Sequence, residues 1–168
     1  PPPPPPFFND PATTEIYTGT TSSAASDVYK RQAGGDSRLL GDRRGQPWMI
    51  GIRDPRNDGE VAISIPLEDE AISTSGDYER YFDEDGVRYH HIITPSTGEP
   101  AGGVQSATVF GPDAVITDAL STSVFVMGVE QGLTLIGTLP DYESIVIDAE
   151  GQVFYSDGLT QPDARSFD

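Results

Sequence analysis

Asp118 and Thr122 lie four residues apart in a run, 112–127, whose apolar residues recur at helical spacing. Residues i and i+4 share a helix face, so this pair would present a carboxylate and a hydroxyl together. Both are hard oxygen donors, which suit Mg2+ better than zinc. Spacing alone favours a plainer account, an exposed helix Asp beside a Thr bonding back to a backbone carbonyl. His90 and His91 are the only histidines. Neighbours on a strand point to opposite faces, so they are not expected to act as a pair. One imidazole could serve as a general base near neutral pH, although a lone histidine is more often structural. With no cysteine and no further histidine, the ligand set for a zinc site is missing. A Ser-His-Asp hydrolase has no GxSxG sequence to support it. The segment STSGDY, 73–78, places hydroxyl and small residues around Gly76. Such a segment can bring backbone N–H groups to a phosphate, or simply make a turn. TPSTG at 94–98 reads as a Pro/Gly loop.

The elements that must carry these residues are mostly strands. Residues 33–46, AGGDSRLLGDRRGQ, are glycine-rich and charged and read as a loop. PWMIGIR, 47–53, is a strand closed by Asp54-Pro55 and the turn RNDG. VAISIPL, 61–67, alternates, with Val61, Ile63 and Ile65 on one face. Residues 70–75 form a short strand running into Gly76, and 78–93 a hairpin turning at DEDG. VQSATVF, 104–110, is a further strand. From Pro112 the period becomes helical, with Ile116, Ala119, Leu120 and Met127 on the expected core stripe and Asp118 and Thr122 roughly opposite. Pro112-Asp113 is a suitable opening and Gly128 a suitable stop, with a short second helix over 129–137. ESIVID, 143–148, and QVFYS, 152–156, read as a closing hairpin, and 158–168 as a polar tail. The expected class is α+β, a largely antiparallel sheet with one main late helix.

The totals narrow the function. The chain has 168 residues, 10 Lys+Arg against 27 Asp+Glu, and a net charge of −17. That length fits one domain, and that charge argues against nucleic acid or an anionic membrane as the main partner. Zero cysteine excludes disulfides and thiolate chemistry. No uninterrupted apolar run of about 18 residues is present, so no membrane span is expected.

Residues 1–32 do not read as native protein. They open PPPPPPFF and end SSAASDVYKRQ. The latter resembles the translated end sequence of a transposase-based sequencing adaptor, and NDPATTEIY at 9–17 resembles the flow-cell part of the same adaptor with a mismatch at Pro11. We therefore set 1–32 aside as a non-native, disordered segment. It contains Lys30, Arg31, Asp10, Glu15 and Asp27, so the remaining 136 residues hold eight basic residues, all Arg, and 24 acids, a net charge of −16. A lysine-free, acid-rich surface suits a protein that stays hydrated in concentrated salt, and a salt-loving source is expected.

Taken in order, GGD at 34–36, PWMIGIRDP at 47–55, STSGDY at 73–78, RYHHIITPSTGEP at 88–100, and DALST followed by SVFVMG at 118–128 resemble the C-terminal half of the ApbE family. The likeness covers about 34–157. It implies a T-fold-like α+β domain lacking its N-terminal half. The family are FAD:protein FMN transferases: they bind FAD and Mg2+, transfer FMN to a threonine hydroxyl of a partner protein, and release AMP. Some relatives instead hydrolyse FAD to FMN and AMP. The usual acceptors are extracytoplasmic flavoprotein subunits of membrane electron-transfer complexes, which implies an extracytoplasmic, membrane-associated location.

By this resemblance Asp118 and Thr122 match the Mg2+ ligands of the family's late helix, and Ser121 a position that approaches the metal in some relatives. His91 matches the histidine of the HxxDPxTG segment and would assist the attacking hydroxyl. Ile93 matches a position that contacts FAD through its backbone, and Ser75 and Gly76 match the TSG turn beside the cofactor. Thr94 stands where the family usually has Asp, so that carboxylate is lost. The family's N-terminal half also carries a glycine-rich segment with a lysine that grips FAD. The alternatives left open are an FAD pyrophosphatase and a non-catalytic flavin-binding fragment, the latter because the chain holds only part of the cofactor site.

Overall fold

The computed structural model describes residues 31–33, 36–42 and 44–159. The strands are β1 (Arg31–Ala33), β2 (Asp36–Arg38), β3 (Trp48–Arg53), β4 (Val61–Leu67), β5 (Ala71–Gly76), β6 (Tyr81–Glu84), β7 (Val87–His90), β8 (Val104–Gly111), β9 (Glu143–Asp148) and β10 (Val153–Tyr155). One long helix, α1 (Ala114–Gly137), lies between β8 and β9. Six strands form an antiparallel sheet in the order β1-β2-β5-β8-β9-β10. The pairs β3-β4 and β6-β7 are separate two-stranded ribbons. The expected α+β class with a largely antiparallel sheet and one late helix is the class observed.

Both faces of the large sheet are covered, so β8 is buried at all eight positions. On one face Ala107, Val109 and Val146 pack with Val124, Phe125 and Ile136 of α1. On the other, Ile72, Phe110 and Ile145 pack with Ile52, Ile63, Ile65 and Leu67 of the β3-β4 ribbon. The alternation in β4 follows from this, with Ile63, Ile65 and Leu67 inward. Val61 is exposed rather than inward, because the ladder slips at Ile52/Arg53 and the strand leaves the core there.

Helix α1 begins as the sequence suggests. The Asp113 carboxylate accepts the N–H groups of Val115 and Ile116 at 2.8 and 3.1 Å, a cap worth about 1 kcal/mol. The helix is interrupted at Gly128, whose φ of 82° and ψ of 177° suit glycine alone. A Cβ placed on Gly132 would lie 2.8 Å from Val124 Cγ1 and 3.1 Å from its carbonyl oxygen. In a straight helix eight residues span about 12 Å, so the chain folds back at Gly128 and the second segment packs on the first.

The buried stripe of α1 differs from expectation. It consists of Thr117, Ser121, Val124, Phe125, Gly132 and Ile136, while Ile116 and Met127 are exposed. The sheet beneath the first two turns presents Ser73 and Ser75, so hydroxyls rather than apolar groups complete that contact. Asp118 and Thr122 accordingly flank the buried stripe, each one residue beyond a buried hydroxyl, rather than lying opposite it. Taken together the 24 residues of α1 are apolar enough to cross a membrane, but the break at Gly128 leaves no continuous helix of the about 20 residues a span needs. In this fold it packs along β5, β8 and β9.

Two strands lie where a loop was expected. β2 pairs with β5, and β1 pairs with β2 in the register Arg31↔Arg38 to Ala33↔Asp36. Arg31 and Gln32, set aside with the adaptor-like segment, thus extend the sheet edge, where pairing uses backbone groups that any residue supplies. Residues 1–30 lie outside the described residues, as do 160–168. Leu159, in the expected polar tail, packs against the core beside Tyr155.

Candidate functional site

The C-terminal end of β5 meets the first turns of α1 through hydroxyl groups. Ser75 Oγ lies 2.9 Å from Ser121 Oγ and 3.0 Å from Thr122 Oγ1. Two residues back along the strand, Ser73 Oγ lies 2.9 Å from Thr117 Oγ1, both fully buried. The spacing is dictated by geometry: residues i and i+2 of a strand share a face, and residues i and i+4 share a helix side. Ser121 Oγ also donates to the Asp118 carbonyl at 2.9 Å, tying the hydroxyl pair to the residue whose carboxylate flanks it. The expected metal residues Asp118, Ser121 and Thr122 and the expected cofactor residue Ser75 therefore form one cluster.

Gly76 has a packing reason of its own. A Cβ at this position would clash with the Tyr78 ring, so the aromatic ring occupies the space a side chain would take. Burial pushes the Tyr78 hydroxyl's pKa upward.

A carboxylate that the sequence reading left without a role joins the cluster. Asp36, on β2, has its pKa raised by burial, lowered in part by a hydrogen bond from Ser73, and raised again by the Asp118 carboxylate. The signal in the sequence was GGD at 34–36, read only as part of the family likeness. Thr117 and Ser73 were missed because hydroxyls on a helix and a strand carry no periodic signal of their own.

The two histidines separate as their strand alternation requires. His90 is buried; its Nε2–H donates to the Ala101 carbonyl at 2.9 Å, and Nδ1 accepts the Ile92 N–H at 3.3 Å. A carbonyl can only accept and an amide N–H can only donate, which selects the neutral Nε2–H tautomer. Its ring stands edge-on to Phe125 at 5.4 Å, so His90 is a core residue. His91 is exposed, and its backbone N–H donates to the Arg80 carbonyl at 3.2 Å. Ile93 is 42% exposed and bridges to Pro100, across the turn in which Thr94 O accepts the N–H groups of Thr97 and Gly98. His91 and Ile93 thus lie on a separate segment from the hydroxyl cluster.

Among the described residues no group of three or more His, Asp and Glu side chains stands close enough to hold a metal alone. The donor set at the β5-α1 junction is all oxygen, one helix carboxylate with hydroxyls and Asp36 nearby. That chemistry fits Mg2+, which keeps several waters and takes the rest of its shell from one or two carboxylates and substrate phosphates.

A family model described as the ApbE family matches residues 29–146. The chain is 41% identical over 127 residues to the FAD:protein FMN transferase of Treponema pallidum, covering 74% of this chain and 35% of that protein. It is 46% identical over 124 residues to the enzyme of the same name from Vibrio cholerae, covering 72% and 37%. Among solved structures, the ApbE protein from Thermotoga maritima matches with a TM-score of 0.70 at 44% identity, over 78% of this chain and 43% of that one. The apo flavinyl transferase ApbE of Pseudomonas stutzeri matches with a TM-score of 0.62 at 32% identity, over 77% and 42%. The chain therefore spans well under half the length of these relatives. With β1 to β8, the late helix and the motif series all inside the matched region, this chain belongs to the ApbE family.

Proposed function

We propose that the chain is the C-terminal part of an FAD:protein FMN transferase, which moves FMN from FAD to a threonine hydroxyl of an acceptor flavoprotein and releases AMP. The observation that carries this reading is the cluster joining Ser75 to Ser121 and Thr122 beside Asp118, in a chain of this family. The threonine oxygen attacks the FMN phosphorus and forms a P–O bond. The bond from that phosphorus to the bridging oxygen breaks, and AMP leaves with the oxygen. A ring nitrogen of exposed His91 takes the threonine proton.

Asp118 and Thr122 would hold Mg2+, with Ser121 approaching it from the buried side. When bound, Mg2+ neutralises pyrophosphate oxygens and the charge on departing AMP. Ser75 fixes the two helix hydroxyls, and the Ile93 backbone, beside the 94–98 turn, contacts FAD. The acceptor is a subunit of a membrane electron-transfer complex, on the extracytoplasmic side.

The test is an FMN-transfer assay with FAD, Mg2+ and a threonine-bearing acceptor domain, using a protein of family length that contains this segment. Asp118→Asn should fold, because Asp118 is exposed, and should lose transfer by about a hundredfold or more. Thr122→Val should lose less, since a neutral ligand is removed. A folded Asp118→Asn variant transferring at the wild-type rate would return the pair to ordinary helix surface. FMN released free rather than on the acceptor would make the enzyme an FAD pyrophosphatase.

A further inference from the structure

We propose that Arg56 and Asp77 form a positioning clamp that sets the Ser75–Gly76 end of β5 against the hairpin leading to His91. The functional consequence rests on the roles given above to Ser75 and His91; the clamp itself rests on geometry. Asp77 directly follows β5 and is 7% exposed. Arg56 grips both its carboxylate oxygens, at 2.8 and 2.6 Å. Arg88, on β7 and three residues before His91, reaches the same carboxylate at 3.7 Å. One buried carboxylate thus joins the β3-β4 loop, the end of β5 and the β6-β7 ribbon.

Each arm is built before it meets Asp77. Asp54 Oδ1 accepts the N–H groups of Arg56 and Asn57 at 2.8 and 3.0 Å, and Oδ2 accepts Asn57 Nδ2 at 3.1 Å. This closed turn presents the Arg56 side chain in one direction. Arg88 is held by Asp83 at 3.2 Å and by stacking on Tyr81 at 3.8 Å. The Asp77 N–H donates to Gln105 O at 3.1 Å, anchoring the junction on the central strand β8.

The ribbon needs such a tie. All four β6 residues are exposed, and an isolated two-stranded hairpin is marginally stable. A bidentate guanidinium–carboxylate pair fixes direction as well as distance, which an ammonium cannot do. An exposed ion pair would stabilise little, but the Asp77 side chain is only 10% exposed. The pair's effect should therefore appear in how firmly the segments beside it are held.

The experiment is amide hydrogen exchange by NMR on the 168-residue chain, comparing wild type with Arg56→Gln, Arg56→Lys and Asp77→Asn. Arg56→Gln and Asp77→Asn should speed exchange of the His91 N–H about tenfold, the scale of a lost charged hydrogen bond. The core amides of Val109 and Val146 should keep their wild-type rates. Arg56→Lys should fall between, since it restores charge without the fork. In a transferase of family length Arg56→Gln should lower kcat and leave the KM for FAD within about twofold, the mark of lost positioning rather than lost binding. Unchanged His91 exchange overturns the proposal. So does equal acceleration of the core amides, which would make the pair a general structural tie. Absence of transfer by the wild-type protein would instead defeat the functional reading, while the exchange data still decide the clamp.

Discussion

Ser73 and Ser75 decide how α1 sits. Each uses its hydroxyl across the interface, to Thr117 and to Ser121 with Thr122, so the stripe that packs nearest the site is polar and satisfied. A buried hydroxyl with a partner costs little, whereas one without costs about 1–3 kcal/mol; the two sides of this contact therefore specify each other. Carboxylates gather at the other end of β5. Glu70, Glu143, Glu68 and Asp141 line a cleft of about 260 Å³; among the described residues Glu143 alone of the four accepts a hydroxyl, that of Ser156. The pKa of Glu70 is raised mainly by burial, with Arg38 opposing and the Glu143 carboxylate adding to the rise. A carboxyl with a raised folded-state pKa favours folding when protonated, and that contribution is lost as pH rises through the folded value. At neutral pH wild type thus carries a penalty that a neutral amide avoids. Glu70→Gln is expected to raise the urea midpoint at pH 7, the gain vanishing by about pH 4, below the ordinary glutamate value. An equal gain at both pH values would assign the effect to packing instead of charge.

At the scale of elements, the strands were legible where one face is apolar and the other wet, as in Val61–Leu67, or where a hairpin turn punctuates the chain, as in Tyr81–His90. β2 was not, because three residues, Asp-Ser-Arg, carry no alternation and form a strand only through the backbone groups offered by β5. The helix span was readable from Asp113 and Gly128, but its face was not. Apolar residues surround α1, and the side that turns inward is chosen by the β5 serines and by Phe125 against His90. The cluster at the site was half legible for the same reason: spacing linked Asp118 to Thr122, and only the sheet links them to Ser75 and Asp36. Gly128 has a testable role here. Its φ of 82° lets the second segment fold back on Val124, and no L side chain adopts that conformation cheaply. Gly128→Ala should lower stability by roughly 1–3 kcal/mol, read as a drop in the denaturant midpoint with unchanged slope. A neutral result would show that the break relaxes into continuous helix.

Charge acts on the molecule as a whole. The net charge is −17, and the ion pairs seen among the described residues use only Arg53, Arg56 and Arg88. Attraction therefore engages few groups, while repulsion among the remaining carboxylates acts at every range that screening permits. Salt shortens that range from about 10 Å at 0.1 M to about 3 Å at 1 M. The exposed Arg53–Asp58 pair loses little when screened, and Asp77, mostly buried, is shielded from the ions. Screening thus removes much repulsion for little lost attraction, and the denaturation midpoint should climb as KCl rises to about 1 M. The shape of the curve identifies the cause. A rise that levels off in the first few tenths molar is simple screening of an acidic surface. A rise continuing through molar salt is what a surface adapted to concentrated salt would give. A midpoint that is flat or falls would mean the acids are too well separated, or too well paired, for their excess to matter, and would remove the case for a salt-loving origin.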